Sequence, residues 1–237
     1  MFASILFISC QSNAPKVRVV TDAIWPPFET LDETSKQPVG FDVDLMNAIA
    51  KKESLQIEFV NAPFDSALAG LSQCQYDAAI SAITITDERK KSMLFSDPYF
   101  AAGLIVIVNI SNTDIRSKDD LGGKKVGAMS GTTGAFEAQK ILNVQYSPYD
   151  TIDEAFLELM NGHIDAVITD NLLAISFVGK NPTKVKTVGS VFTNENYGVA
   201  VCNKQPALLA KINQGLAAVK SDGEIDQLVK KWLVNSQ

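Results

Sequence analysis

The chain is poor in the residues that most catalytic and metal chemistry requires. It has one histidine and three cysteines, so no Ser-His-Asp set is visible and no His, Cys or carboxylate cluster has metal-ligand spacing. No glycine-rich phosphate loop is present. Positive charge is also short. Lys and Arg number 21 against 27 Asp and Glu, a net charge of −6, which argues against nucleic acid because phosphate binding needs a basic face. Apolar runs are brief: 101–108 has the length of a strand, and 2–9 is too short to span a membrane. What remains, 46% hydrophobic and 20% charged residues in a chain of 237, suits one large or two small domains able to bury a core.

Residues 2–9 are apolar or small and end in Phe7-Ile-Ser-Cys10, followed by polar Gln-Ser-Asn. This resembles the end of a bacterial lipoprotein signal in which Cys10 becomes the lipid-bearing residue, so export is expected. Cys74 and Cys202 then remain. An exported pair can form a disulfide, whereas two isolated cysteines are also common as small buried hydrophobes. Composition leaves both open.

From residue 16 the pattern alternates strand and helix. Residues 16–21 read as a strand, and the two prolines of Trp25-Pro-Pro-Phe-Glu29 make the next stretch an ordered loop. Residues 40–50 place Phe41, Leu45, Met46 and Ile49 on one helical face. Residues 56–60 read as a strand, 65–71 as a helix capped by Asp65, and 77–83 as a buried strand. The first hundred residues are thus βαβαβ, a parallel sheet with right-handed crossovers. Residues 101–109 form a β-branched crossover strand, after which the pattern restarts. Strands at 124–129, 144–147 and 164–168 alternate with helices opened by Ser130-Gly-Thr-Thr-Gly134, by Thr151 with Glu154 three residues on, and by Asp170. A strand at 196–201 and helices at 206–220 and 223–233 follow, with Leu208, Ile212, Leu216 and Val219 on one face and Trp232 packing the last helix onto the first lobe. His163 reads as an exposed turn residue.

The expected architecture is α/β, two Rossmann-like lobes joined by two hinge strands with a cleft between. Residues 1–15 form a tail, 16–102 the first lobe, 103–194 the second, and 195–237 a return to the first. Such hinged clefts close around small ligands. Strand 77–83 runs out into Ser81, Thr84, Thr86 and Arg89 at its carboxyl end, where open α/β sheets bind ligands. Hydroxyls beside a guanidinium fork suit a small carboxylate. Taken alone, the same stretch also reads as a strand entering a solvated, charged turn.

Six pieces occur in order: Asp22 with Trp25-Pro-Pro-Phe-Glu29, Gly40-Phe-Asp-Val-Asp-Leu45, Ser81-Ala-Ile-Thr-Ile-Thr-Asp-Glu-Arg89, Phe95-Ser-Asp-Pro-Tyr99, Ser130-Gly-Thr-Thr133 and Tyr197-Gly-Val-Ala200. Together they resemble the polar and basic amino-acid-binding proteins of bacterial ABC importers, solute-binding family 3, over residues 16–234. The resemblance implies a type II periplasmic-binding-protein fold. It implies that Arg89 and Thr84, with backbone N–H groups of Ala82 and Thr133, hold an α-carboxylate. Asp170, with Thr169 beside it, then pairs with the α-ammonium, although Thr-Asp-Asn before a helix also reads as a plain cap. Trp25 and Phe64 sandwich the ligand side chain, an arrangement that suits a guanidinium or ammonium. Asp22, with Ser81 beside it, receives a cationic or amide end. Met129 stands where related glutamine binders carry lysine, and it suits a long side chain. Arginine or lysine is therefore expected first, glutamine or histidine next. In the implied fold, strand 77–83 runs antiparallel to 197–201, which brings Cys74 and Cys202 to neighbouring ends and implies a disulfide.

The resemblance further implies a monomer that is not an enzyme and takes no cofactor or metal. It would work in the periplasm or at the outer face of the membrane, delivering a free L-amino acid to ABC permease subunits and touching lipid only through Cys10. The rival is a cyclohexadienyl dehydratase-like enzyme, which resembles the same family. That pocket needs cationic groups for a further carboxylate and a general acid, whereas Asp22 and Asp170 favour a cation. A sensor or lytic-enzyme module of the same fold is disfavoured by the end of the sequence at Gln237.

Overall fold

Val19 and Val20, both fully buried, lie in strand Val17–Thr21, which is flanked in parallel by Ile57–Asn61 and Ala78–Ala79. Ala200–Cys202 pairs antiparallel with Ala78–Ala79 on one side and Met93–Phe95 on the other, completing a five-stranded sheet. The second sheet repeats the plan. Its order is Gln145–Tyr149, Lys125–Met129, Ala166–Asp170, Leu104–Asn109 and Val185–Val188, the first three parallel and Leu104–Asn109 antiparallel to its neighbours. In each sheet the fourth strand is delivered by a crossing from the other half of the chain. The computed structural model describes residues 16–234; the tail assigned to residues 1–15, with its Cys10 lipid site, lies outside them.

Helix Phe41–Lys52 turns Phe41, Leu45, Met46 and Ile49 into the first lobe, all fully buried. Helix Pro206–Ser221 presents Leu208, Ile212, Leu216 and Val219 to the same core. Each such side chain contributes about 1.5–3 kcal/mol by leaving water. Trp232 anchors the C-terminal end, its Nε1–H donating to Asp44 Oδ2 at 2.7 Å. Cys74 and Cys202 are bonded, with Cα atoms 5.1 Å apart, tying the returning strand to the segment before Ala78–Ala79 across 128 residues. Among the described residues, no helix is long and apolar enough to cross a membrane.

Several expected elements are shorter or broken, each for a local reason. The strand expected over 77–83 is only Ala78–Ala79. Beyond it the N–H of Ala82 donates to the buried Asp42 carboxylate at 2.7 Å, and Ala82 takes φ +46°, so side chains rather than a neighbouring strand claim the backbone. The expected run 101–109 breaks at Gly103 into Phe100–Ala102 and Leu104–Asn109. A Cβ at Gly103 would lie 2.4 Å from the Thr193 carbonyl oxygen, so only glycine lets the two crossing segments touch. The run 196–201 likewise divides into Glu195–Tyr197, paired with Phe100–Ala102, and Ala200–Cys202. The paired strands Phe100–Ala102 and Glu195–Tyr197 form the hinge. Asp65 is not a cap: helix Phe64–Ser72 follows Pro63, and its first N–H, on Phe64, donates to Asp22 Oδ2 at 3.0 Å. The loop after Thr21 is partly paired, with Trp25 opposite Glu29 in a small antiparallel sheet.

Candidate functional site

The parallel strands of both sheets point their carboxyl ends at one narrow cavity. Asp22, Trp25, Phe64, Ser81, Ala82, Thr84, Arg89, Met129, Thr133 and Asp170 line it, together with Glu29 and Thr132. Thr169 does not; it is buried inside strand Ala166–Asp170.

Arg89 marks the cationic end. It opens a short 3-10 turn after the Ser81–Thr84 segment, and its guanidinium lies 5.4 Å from the Phe64 ring centre. Nη1 donates to the Thr84 carbonyl at 2.8 Å and Nη2 to the Gly131 carbonyl at 3.0 Å, so the side chain touches both lobes. Two of its five N–H groups are thereby used, and the rest of the fork is left to meet an anion. Burial lowers its pKa to about 10, opposed by the Asp170, Glu195 and Asp65 charges, so it is cationic at neutral pH.

The groups expected to assist Arg89 are differently committed. The Ala82 N–H is spent on Asp42, which removes it as a free donor. The Thr84 and Thr133 hydroxyls both donate to Glu195 Oε2, at 2.8 and 2.9 Å. Phe64 lies against Arg89, so one face of the expected aromatic sandwich already holds a protein cation.

Asp170 ends strand Ala166–Asp170 and precedes helix Asn171–Lys180, yet its side chain makes no capping bond. Its Oδ1 accepts the Tyr197 hydroxyl instead. Burial raises its pKa to about 7, with the Tyr197 bond and the Arg89 charge pulling the other way. Tyr197 is fixed by an aromatic cluster, edge-on to Phe28 at 5.2 Å and stacked on Phe100 at 6.0 Å.

A second polar group, of three carboxyls, gathers around Asp22. Asp22 Oδ2 accepts the Phe64 N–H, and its own N–H donates to Ser81 Oγ at 3.0 Å. Burial raises its pKa to about 6, against the lowering pull of that Phe64 bond. The Ser81 hydroxyl donates to Glu29 Oε1 at 3.0 Å. Glu29 and Asp42 are both fully buried, and each acts on the other's pKa. Burial first, then the Asp42 charge, pushes Glu29 well above the carboxylate range; burial raises Asp42 to about 6, opposed by bonds from Ala82 and Tyr99. Tyr99 donates to Asp42 Oδ2 at 2.7 Å.

Glu29, Asp42 and Tyr197 lie in the motifs quoted above, but those motifs assign them no role. A carboxyl inside an apolar run, as in Gly40-Phe-Asp-Val, is the signal that could have singled out Asp42. Thr132, whose Oγ1 caps helix Thr133–Gln139 by accepting from Ala135, could be read from Ser-Gly-Thr-Thr. Nothing in the sequence marks Glu195. Among the described residues, no group of three or more His, Cys, Asp or Glu side chains could hold a metal ion.

This fold has close counterparts. A structure described as an ancestral arginine-binding protein bound to arginine superposes with a TM-score of 0.87 at 43% identity, covering 92% of this chain and 97% of that one. The arginine-, lysine-, histidine-binding protein ArtJ of Geobacillus stearothermophilus also gives 0.87, at 38% identity over 92% and 95% of the two chains. A protein of Neisseria gonorrhoeae named as a probable histidine-binding protein is 38% identical over 228 residues, 93% of this chain and 84% of its own length. The profile of the bacterial extracellular solute-binding proteins, family 3, matches residues 17–235, and the chain belongs to that family.

Proposed function

We propose that this protein is an extracytoplasmic amino-acid receptor of an ABC importer, binding a basic L-amino acid, arginine or lysine, by closure of its two lobes. The observation that carries the reading is the set of charges on one cavity lining: Arg89 and Asp170, close enough for each to act on the other's charge, and Asp22, whose pKa neither of them shifts. A zwitterion with a cationic side chain matches that set. Its α-carboxylate meets the Arg89 fork, with Thr84 and Thr133 as polar walls. Its α-ammonium meets Asp170, and its stem runs between Trp25, Phe64 and Met129 toward Asp22 and Ser81. Glutamine or histidine satisfies the first two contacts but not the charge at the third.

The lobes divide at 102/103 and 194/195 in this reading. Arg89 belongs to one lobe and Asp170 to the other, so a ligand that holds both makes the closed form dominant. The permease subunits then recognise that form. The chemistry is binding without turnover, in keeping with the family, and lipid on Cys10 would keep the receptor beside its permease.

A thermal-shift panel of the twenty amino acids with ornithine, citrulline and prephenate, run after unfolding and refolding to strip carried ligand, tests the reading. Ligand at a hundredfold over Kd stabilises by about 2.7 kcal/mol, roughly 5–10 °C for a chain of this size. A shift confined to arginine, lysine and ornithine supports it. A shift with glutamine alone keeps the receptor and discards the Asp22 argument. A shift with prephenate alone overturns it in favour of the enzyme.

A further inference from the structure

Glu195 lies outside the lining of the ligand cavity. It sits in hinge strand Glu195–Tyr197, behind Thr84 and Thr133, on a second groove that those two threonines also border. Thr84 follows strand Ala78–Ala79 of the first sheet, and Thr133 opens the helix after strand Lys125–Met129 of the second. Both hydroxyls donate to the same carboxylate oxygen, Glu195 Oε2, at 2.8 and 2.9 Å. All three side chains are at least nine-tenths buried, with Glu195 9% exposed. Hydrogen bonds to an ionised acceptor are roughly twice as strong as neutral ones, and burial shields them from water.

We propose that Glu195 is an interlobe latch, a positioning residue that fastens the closed form from the hinge side. One oxygen can accept from both lobes at once only when the lobes are together. The amino acid grips the lobes from inside the cavity through Arg89 and Asp170; Glu195 grips them from behind. Because it stands outside the cavity, the ligand need not displace it. The latch therefore acts with the ligand, slowing reopening, and it biases the empty protein toward closure. This inference rests on the receptor reading above for its ligand arm, and on the fold alone for its empty-protein arm.

The test compares wild type with Glu195→Ala, Glu195→Gln and Thr133→Val, using L-arginine as the probe. Small-angle scattering of the stripped, ligand-free proteins reads lobe closure, and stopped-flow fluorescence reads the dissociation rate. Glu195→Ala should be more expanded when empty and should release arginine at least about tenfold faster, the scale of a lost charge-assisted bond. Glu195→Gln keeps an acceptor oxygen but loses the charge, and should fall between wild type and Glu195→Ala in both. Thr133→Val also borders the carboxylate site, so it is read by scattering of the empty protein alone: it should be expanded like Glu195→Ala, and the double variant no more so, since both remove the interlobe Glu195–Thr133 bond. A Glu195→Ala protein with wild-type scattering and release overturns the latch, as do single-variant expansions that add in the double. If Glu195→Ala does not fold, Thr133→Val carries the scattering comparison. A wild type that binds no amino acid overturns the receptor reading instead, and the scattering comparison still decides the latch.

Discussion

The phenol of Tyr197, on the hinge strand, donates its proton to Oδ1 of Asp170 at the end of a strand in the second sheet. The bond runs between two buried groups and joins the hinge to the candidate ammonium site. Asp170 is held toward ionisation by that hydroxyl and by Arg89, while burial pulls its pKa up to about 7. A carboxylate kept buried in this way costs the empty protein stability and awaits a cation.

Asp170→Asn separates the two consequences. Amino-acid affinity should fall at least about a hundredfold, the scale of breaking a buried charge pair. The empty variant should nevertheless melt higher than wild type at pH 8, because no charge is buried there. Calorimetry measures the first and thermal denaturation the second. An unchanged Kd removes Asp170 from the ammonium role.

The pH dependence follows with a definite sign. Asp170 and Asp22 have folded pKa values of about 7 and about 6, both above the ordinary carboxylate value. Between pH 4 and pH 7 the folded state thus binds more protons than the unfolded chain. The empty protein should lose stability as pH rises through that window. Ligand affinity should move oppositely, weakening as pH falls from 8 to 5 by up to about tenfold per unit, since protonated Asp170 cannot pair with an ammonium. Melting curves with and without arginine from pH 5 to 8 should converge at the acid end; curves that stay parallel contradict both assignments.

Side-chain selectivity should reside at Asp22. Asp22→Asn should reduce the preference for arginine over glutamine by about tenfold, the scale of a hydrogen bond to a charge. Equal losses for both ligands would show that Asp22 supports the pocket through its Phe64 bond rather than reading the ligand's charge.

The Cys74–Cys202 bond encloses 128 residues of sequence separation, and loop-closure entropy alone credits such a crosslink with up to about 5 kcal/mol. Replacing both cysteines with serine should lower the melting temperature by several degrees and leave arginine affinity near wild type, because neither residue lines the cavity.

The buried carboxyl pair makes a contrasting prediction. Glu29→Gln should change stability by no more than about 1 kcal/mol, since a neutral amide still accepts from Ser81 and can donate to Asp42. Asp42→Ala leaves the Ala82 N–H and the Tyr99 hydroxyl without their acceptor. It should cost roughly 3–5 kcal/mol, as removal of one partner from a buried network does. Chemical denaturation of both variants checks the contrast.

Much of this was readable before any coordinates. Hydrophobic periodicity placed helix Phe41–Lys52 through Phe41, Leu45, Met46 and Ile49, and Pro206–Ser221 through Leu208, Ile212, Leu216 and Val219, because burial of one face repeats every three to four residues. Strand polarity puts Asp22 and Arg89 at the carboxyl side of the first sheet and Asp170 at that of the second; it was the resemblance of their motifs to the family that implied one shared cleft. Strand lengths were less readable. Alternation of small and apolar residues over 77–83 says nothing of an Asp42 side chain about to claim the Ala82 N–H from another part of the chain.

By itself the sequence determined the element order, the two-lobed plan and the side of each sheet on which ligand chemistry gathers, because those depend on local patterns and strand polarity. Only the tertiary structure decided how the site's polar groups are spent. It sends Thr84 and Thr133 to Glu195, Ala82 to Asp42 and Tyr197 to Asp170. Hydrogen-bond partners are chosen by distance in space, and these meet across separations of 27 to 111 residues that no local pattern encodes.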